Sequence, residues 1–568
     1  MPPTVGPPLR GRIGENALLV VLLAGSFLLP AVLMRGKSAT FDEVAHLPAG
    51  YSYLTTGVFK INPQHPPLIK EICALPLLFM DLKMPVDRET LRRSRPGLTY
   101  QWGFGRKFLY SQDADRILFW GRIPAVVLSL GLAILTALWA RKLWGTGGGL
   151  LAAALYLIDP TLTAHAQLVT TDVGLACFAT LFLFVLRGYV ERPTRARLVV
   201  SGLTLGLALA AKFSAVLLIP IALFLLLLAS RREAAAAQAD PATGGGNRRM
   251  RSGKGRRPGR EPAQPGESGS GTVRPPGSLA GFAIMLAIAA VVIWALYFFS
   301  SDPLVYLKAF ATVNKDHDPG YFPYLLGEMK PGGWVSYLLI AYLVKTPLPS
   351  LVLLAAAVVA FFRGRRAPSL DEAFLAVPGL AFFIGYSLTA DNLGVRYLIP
   401  CFPFFMIFTA RLAPAVGAAK LWAKGAVAAL LIWAAMEFAV IWPDHLSYFN
   451  QVTGIPPRGS RWLDDSNLDW GQGLIQLRDY LREHPVADYR FCYFGSGDPA
   501  YYGIRGSDIT VKGLLPPPPP GTYILSAHCV ARARAELSGL YGQGSGNWLA
   551  NAVPRVVVGH VFEIYEIR

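Results

Sequence analysis

The sequence predicts an all-α polytopic membrane protein that carries a small C-terminal α/β domain. Of its 568 residues, 53% are hydrophobic and 16% are charged, while soluble domains carry about a quarter charged residues. Because a spanning helix needs about 20 apolar residues, we predict about eleven spans. Their approximate cores are residues 16–34, 117–140, 148–160, 172–190, 198–211, 213–230, 278–299, 334–361, 372–390, 396–412 and 425–442.

The basic residues predict the orientation of these spans. The formal net charge is +18, but the arginines and lysines cluster in loops between apolar segments, as the positive-inside rule predicts. We therefore expect no nucleic-acid binding. Arg10 and Arg12 precede the first apolar run, and no small-residue cleavage site follows it. These features predict an uncleaved first helix and a cytoplasmic N-terminus, and an odd number of spans then places the C-terminal segment outside.

Two domains follow from this topology. We predict a membrane domain over residues 1–443 and an extracytoplasmic α/β domain over residues 444–568. Within the membrane domain, residues 35–115 form the first outer loop, and residues 231–277 form a disordered basic cytoplasmic linker, because that stretch lacks apolar periodicity. In the tail, "GLIQLRDYLREH" predicts an amphipathic helix, and "DYRFCYFG", "GTYILSAH" and "HVFEIYEIR" predict strands.

The first outer loop opens with two adjacent acids, in "FDEVAHLPAGYSYLTTGVFKINPQHPPL". A helix here places Asp42 and His46 one turn apart, with Tyr53 further along the same side. His65 precedes a proline and is therefore held in an extended turn. A partly desolvated carboxylate at the membrane surface can act as a base or bind a cation, so Asp42, assisted by Glu43, is a catalytic candidate. The alternative is that Asp42 merely caps the helix.

A second acid and three cations stand at the ends of other spans or inside them. Asp172 follows two threonines in "VTTDVGL" and is either functional or a helix cap. Arg396, in "NLGVRY", offers the planar fork that suits phosphate. Lys345, in "YLVKTPLP", lies within an apolar run where a lone ammonium is costly. Lys212, in "LAAKFSA", is a third candidate cation.

Two features of the tail leave alternatives open. The motif "WLDDSNLDWGQGL" is rich in groups that bind sugars, but we favour a capped loop that docks the tail onto the membrane domain. Cys492 and Cys529 lie in two predicted strands. In an oxidising compartment they could pair, or they could be two small buried hydrophobic residues.

These motifs together resemble a known family. The acidic pair, the G-x-x-Y after it, the N-x-x-HPPL turn that begins at Asn62 and the later TTD are similar to those of GT-C glycosyltransferases. The resemblance is narrower to the protein O-mannosyltransferase and lipid A aminoarabinose transferase group, that is, glycosyltransferase family 39 and its bacterial relatives. It extends through "LVKTPLPSLVLL", "DNLGVRYLIPCFPF", "YFNQVTG" and "DDSNLDWGQGL", and thus covers most of the chain except the linker.

The resemblance implies a sugar transferase in a bacterial inner membrane, with a polyprenyl-phosphate-linked donor, an unidentified acceptor and its active site on the extracytoplasmic side. Asp42 and Asp172 match the family's two acids, which serve as base or hold the substrate or a divalent metal ion. His65 stands where the aminoarabinose transferases carry a lysine, which weakens the case for a phosphate contact there. The resemblance also implies that the candidate cations Arg396, Lys345 and Lys212 bind the donor phosphate. The loop residues His46, Tyr53 and Asn62 would line the substrate site.

Two other classes of function remain as alternatives. A transporter or flippase for a lipid-linked or small anionic solute would use the same charges as an ion relay. However, no inverted repeat is visible, and the ionisable groups gather at one face instead of the midplane. A membrane scaffold that displays the tail domain would leave the buried cations unexplained.

Overall fold

The computed structural model describes residues 9–94, 100–239, 278–313, 321–364, 367–456, 458–516, 518–542, 544, 546–550 and 552–568. Most of the predicted linker, residues 240–277, lies outside the described residues. Its first part was wrongly predicted, because residues 231–239 continue a helix. The sequence "RREAAAAQA" explains this, since alanine, glutamate and glutamine are strong helix formers.

The described residues are mostly helical. In chain order the helices are α1 Leu9–Leu33, α2 Glu43–Thr56, α3 Leu68–Ala74, α4 Arg88–Arg93, α5 Tyr100–Tyr110, α6 Ala114–Leu157, α7 Pro160–Ala166, α8 Thr171–Glu191, α9 Arg195–Ala211, α10 Leu218–Ala239, α11 Ser278–Leu296, α12 Val305–Val313, α13 Tyr337–Lys345, α14 Leu348–Arg363, α15 Leu370–Thr389, α16 Phe402–Thr409, α17 Leu412–Ala418, α18 Leu421–Val440, α19 Leu474–Glu483 and α20 Ala527–Tyr541.

Within the described residues, eight helices are long and apolar enough to cross a membrane, or nine if α13 and α14 form one span bent by 113°. The eleven predicted segments all fall on helices, and two causes reduce eleven to nine, while the bend between α13 and α14 accounts for the count of eight. Helix α6 counts once although Gly145 breaks it with a φ of 75°, and α9 has only 17 residues. The chain is therefore an integral membrane protein, as the composition predicts.

The C-terminal sheet consists of β3 Tyr489–Cys492, β4 Ser507–Asp508, β5 Gly521–Ser526, β6 Val556–Val558 and β7 Phe562–Ile567. Its strand order is β4-β3-β5-β7-β6. Strand β3 pairs in parallel with β4 and β5, while β7 pairs antiparallel with β5 and β6. Helix α19 covers one apolar face and α20 the other, which confirms a small α/β unit. The described residues contain two further short strands, β1 Tyr324–Leu325 and β2 Glu328–Met329, which pair antiparallel with each other.

The two tail cysteines are bonded to each other in the structure. Cys492 ends β3 as predicted, but Cys529 lies in the first turn of α20 and not in a strand. The strand predicted for "GTYILSAH" ends at Ser526 in the structure. The Ser526 side chain accepts a hydrogen bond from the Cys529 backbone N–H and so caps α20. Three further cysteines of the described residues are buried and unbonded: Cys73, Cys177 and Cys401.

The segment between α18 and α19 connects the sheet to the membrane helices. The side chain of Asn467 accepts from the Val395 backbone N–H at 2.9 Å and donates to the Tyr337 hydroxyl at 2.9 Å. The Phe41 N–H donates to the Trp470 carbonyl at 2.8 Å. The motif "WLDDSNLDWGQGL" is therefore a docking segment, as predicted. Because it packs against the membrane helices, the predicted domain boundary at residue 443 stays a prediction.

Candidate active site

Four charged side chains from separate segments meet where the loop of residues 35–115 covers the membrane helices. Arg396 Nη1 lies 2.9 Å from Asp42 Oδ2 and 3.5 Å from Asp172 Oδ2. Lys212 Nζ lies 2.6 Å from Asp172 Oδ1. We call these four residues the charge cluster; its two acids and two cations balance formally.

The two acids of the charge cluster are held differently. Asp172 is 1% exposed and contacts both cations, whereas the Asp42 side chain is 17% exposed and, among the described cations, contacts only Arg396. Neither side chain makes a capping hydrogen bond: Asp42 stands at the N-cap position of α2 without capping it, and Asp172 lies within the first turn of α8, after the N-cap residue Thr170. The capping alternative is therefore excluded for Asp42 and for Asp172, and each carboxylate faces a cation instead.

Arg396 is fixed by aromatic rings and has donor capacity left over. Its guanidinium carbon lies 4.4 Å from the Trp470 ring centre and 5.2 Å from that of Tyr397. Both acids contact the same nitrogen, Nη1, while Nε is buried and has no hydrogen-bond partner among the described residues. An arginine can present two parallel N–H groups to a carboxylate or phosphate. Arg396 can therefore bind a further anion.

Glu43, which was predicted to assist Asp42, points the other way. It is fully buried and forms a two-point pair with Arg122, at 2.8 and 2.7 Å. It also accepts from the backbone N–H groups of Thr40 and Val169 at 2.9 and 3.0 Å. With both oxygens occupied in this way, Glu43 anchors the loop and does not act as a base.

Lys345, another predicted phosphate ligand, is also occupied. It is 2% exposed, and its ammonium donates to the carbonyl of Leu446 at 2.8 Å and to that of Asn467. The ammonium also lies 4.4 Å from the ring centre of Phe449. These partners all belong to the tail, so Lys345 docks the tail to α13. Two of its three N–H groups donate to these carbonyls and the ammonium lies against the Phe449 ring, so the structure places Lys345 with the tail and not with the charge cluster.

The predicted loop residues form two groups. The Nδ1 atom of His46 lies 3.1 Å from the Val169 carbonyl, and the rings of His46 and His65 are 4.9 Å apart. Tyr53 and Asn62 instead surround Lys70, whose ammonium lies 3.1 Å from the Tyr53 hydroxyl and 3.1 Å from Asn62 Oδ1. Only the two histidines lie beside the charge cluster; Tyr53 and Asn62 belong to the interior of the loop.

Burial changes the protonation of these loop groups. Desolvation lowers the pKa of His46 to about 4, against the attraction of Asp42, and it lowers the pKa of His65 well below its usual value. Both rings are therefore neutral at pH 7. Lys70 has a lowered pKa, and desolvation raises the pKa of its neighbour Glu71 to about 8. A neutral His65 does not serve as a cation for phosphate.

The charge cluster does not fit a divalent metal ion. A metal held by Asp42 and Asp172 would need their carboxylate oxygens, but Arg396 and Lys212 lie at 2.6 to 3.5 Å from Asp42 Oδ2 and from both oxygens of Asp172. Among the described residues, no group of three or more histidine, cysteine, aspartate or glutamate side chains is arranged to hold a metal ion.

Three residues that build the charge cluster or the loop beside it are not singled out by the sequence. Arg122, 1% exposed, holds Glu43 and the carbonyls of Met34, Lys37 and Ser38. An arginine inside the apolar run "FWGRIPAVV" was a signal for it. Trp470 lies in a motif that the sequence associates with sugar binding, and nothing in the sequence indicates its contact with Arg396. Lys70 and Glu71 are adjacent in sequence, and such a Lys-Glu pair is ordinary on a helix surface, so the sequence does not predict that Lys70 is buried.

A cavity of about 620 Å³ lies away from the charge cluster, between α18 and the C-terminal sheet. Its walls include Met436 and Val440 of α18, Arg458 from the loop between α18 and α19, and His560. No predicted site residue lines it, so it carries no part of the predicted chemistry.

A segment that contains part of the charge cluster matches the model of a known protein family. Residues 117–239 match the family model described as dolichyl-phosphate-mannose-protein mannosyltransferase. The match contains Asp172 and Lys212, and it confirms the resemblance to the protein O-mannosyltransferase group. It supports a membrane glycosyltransferase with a donor linked to a lipid phosphate. No curated protein matches the chain.

Two solved structures are similar to the chain over most of its length. ArnT from Cupriavidus metallidurans bound to undecaprenyl phosphate has 12% identity and a TM-score of 0.48, with 97% of this chain and 98% of that chain covered. The archaeal oligosaccharyltransferase AglB from Archaeoglobus fulgidus, in complex with an inhibitory peptide and a dolichol-phosphate, has 12% identity and a TM-score of 0.41, with 88% of this chain and 64% of that chain covered.

Proposed function

We propose that this membrane protein is a glycosyltransferase that moves a sugar from a polyprenyl-phosphate donor to a hydroxyl acceptor. The observation that carries the proposal is the charge cluster, which combines an accessible carboxylate with two cations. The family-model match over residues 117–239 supports the same chemistry. A hexosyl or pentosyl group both suit this mechanism, and the acceptor can be a protein, lipid or glycan hydroxyl.

Asp42 is the proposed base. As the acceptor oxygen bonds to the anomeric carbon, the hydroxyl proton moves to the Asp42 carboxylate. The bond between the anomeric carbon and the donor's phosphate oxygen breaks, and its electron pair leaves with that oxygen. Asp42 is suited to this role because it is the more exposed acid of the charge cluster and has a single cation contact.

Arg396 and Lys212 are proposed to bind the donor phosphate. The leaving polyprenyl phosphate gains negative charge, so it requires charge stabilisation from prearranged donors more than a strong acid. The buried, unpartnered Nε of Arg396 provides such a donor. Asp172 contacts both cations and fixes their separation, which makes it a positioning residue.

We propose that the reaction needs no divalent metal bound by Asp42 and Asp172, since the cations of the chain already neutralise both acids. Transfer measured after dialysis against EDTA should be unchanged, and restoration of a lost rate by added Mg²⁺ or Mn²⁺ would refute the proposal.

The site is proposed to face the extracytoplasmic side of a bacterial inner membrane. The basic loops support this orientation, and the Cys492–Cys529 bond supports an oxidising compartment for the tail. An alkaline phosphatase fusion after Tyr448 should be active, and a fusion within residues 240–277 should be inactive. The reverse pattern would overturn the orientation.

The function is tested with membranes that contain the overproduced protein and radiolabelled polyprenyl-phosphate hexose or pentose. The wild type should release free polyprenyl phosphate and transfer the label, and Asp42→Asn membranes with equal protein levels should not. If the wild type consumes none of these donors, the glycosyltransferase proposal fails and transport of a lipid-linked or anionic solute becomes the next candidate.

A further inference from the structure

Arg396 has two tasks that conflict. The proposed function requires it to bind the donor phosphate, yet one of its nitrogens already contacts Asp42 at 2.9 Å. Two anions that contact one guanidinium repel each other, and like charges placed together at an interface cost several kcal/mol. The carboxylate and the phosphate therefore cannot both bind Arg396 at full strength.

Of the two acids, Asp42 is the one that can yield. Asp172 is 1% exposed and is retained by Lys212 at 2.6 Å, even if its contact with Arg396 weakens. Among the described residues Asp42 has no second cation contact, and its side chain is 17% exposed, so it is the less firmly held of the two acids. Arg396 itself stays in place, because its guanidinium carbon lies 4.4 Å from the centre of the Trp470 ring.

Resting on the proposed function, we infer that Asp42 is the resident counter-anion of the donor phosphate site and is released from Arg396 when phosphate binds. The pairing keeps the carboxylate neutralised while the site is empty. Donor binding then frees it to accept the acceptor proton. After transfer, its return to Arg396 favours departure of the polyprenyl phosphate, whose charge has increased. Donor binding and activation of the base are thereby coupled.

Competition between Asp42 and phosphate predicts an effect of Asp42→Asn on phosphate affinity that is opposite in sign to the effect expected if Asp42 only supports Arg396. If Asp42 only holds Arg396 in position for phosphate, then Asp42→Asn weakens phosphate binding. If Asp42 competes with phosphate, then Asp42→Asn tightens it, by about tenfold or more for a repulsion of this kind. The same variant loses transfer activity under the proposed function, so affinity and turnover move in opposite directions.

The test measures binding of farnesyl phosphate, a short polyprenyl phosphate, to purified protein in detergent, with the neutral alcohol farnesol as the comparison ligand. Asp42→Asn should bind farnesyl phosphate more tightly than the wild type and farnesol equally. Glu89→Gln is the matched control, because it removes one negative charge from the same outer loop at a side chain that is 59% exposed and paired with Arg93. It should leave both affinities within twofold.

A double variant shows whether the gain acts through Arg396. In an Arg396→Gln background, Asp42→Asn should no longer tighten binding, because the shared guanidinium is gone. Weaker or unchanged farnesyl phosphate binding by folded Asp42→Asn overturns the inference, as does an absence of binding in both proteins. Absent sugar transfer by the wild type would instead defeat the proposed function, and the two failures are therefore distinguishable.

Discussion

Two neighbouring ion pairs that involve the loop of residues 35–115 differ in how many of their polar atoms have hydrogen-bond partners. Glu43 and Arg122 form a closed pair that is 0% and 1% exposed and has further hydrogen bonds to the backbone. Asp42 and Arg396, which involve the adjacent acid, form an open pair with an exposed carboxylate and an unpartnered Nε. Saturated buried polar groups stabilise a structure, whereas unsatisfied ones require another explanation.

Two acids that are adjacent in sequence therefore need not share one site or one role in the folded protein. Glu43 is the first residue of α2 and turns toward α6, while Asp42 just before it turns toward Arg396. One acid therefore builds the loop, and its neighbour is available for chemistry. The variants below separate these two tasks.

Asp42→Asn should have the largest effect on activity. The substitution keeps the shape of the side chain but removes the base, and loss of a positioned general base typically costs about 10²- to 10⁴-fold in rate. The measurement is transfer of labelled sugar in membranes with matched protein levels, with Glu89→Gln as the control that retains full activity. Near-normal turnover by a stable Asp42→Asn protein would refute its role as base.

Glu43→Gln should instead act on folding. Removing one charge of a buried pair leaves Arg122 uncompensated, and such changes cost about 3–5 kcal/mol of stability. We expect a lower unfolding midpoint in detergent for Glu43→Gln and an almost unchanged one for Asp42→Asn. Equal stability of the two variants would remove the distinction between a closed and an open pair.

Arg396→Lys should have a moderate effect on donor use. Lysine keeps the positive charge but lacks the planar fork and its stacking on Trp470. We expect KM for the polyprenyl-phosphate sugar to rise by about tenfold, equivalent to about 1.4 kcal/mol, with a smaller change in kcat. A change confined to kcat would show that Arg396 acts on the chemical step alone.

The smallest effect concerns pH, at the histidine one turn from Asp42. Burial lowers the pKa of His46 to about 4, so the unfolded chain binds a proton near pH 6.5 before the folded one does. Stability from this group is complete above pH 6.5 and is lost as pH falls toward 4, by about 2 kcal/mol between pH 7 and 5. His65 titrates in the same direction, so only the His46→Gln difference is diagnostic. An unchanged pH profile in that variant would contradict the shift.

Much of the fold could be predicted because the signals are local. Apolar runs of sufficient length located the spanning helices, and alternation located β3 and β7. The glycine of the G-x-x-Y motif also has a local meaning that becomes clear in three dimensions. A Cβ atom at Gly50 would overlap the Lys70 carbonyl of α3, so only glycine permits this approach of α3 to α2.

The sequence by itself determined the membrane class, the approximate helices and the presence of acids and cations near span ends, because hydrophobic length and charge are properties of single segments. Only the tertiary structure decided which charges are partners. Asp42 and Arg396 are 354 residues apart, and Lys345 is occupied by tail carbonyls that no local pattern reveals. The role of a buried charged side chain depends on the groups that neutralise it. In this protein those groups come from segments that are distant in sequence.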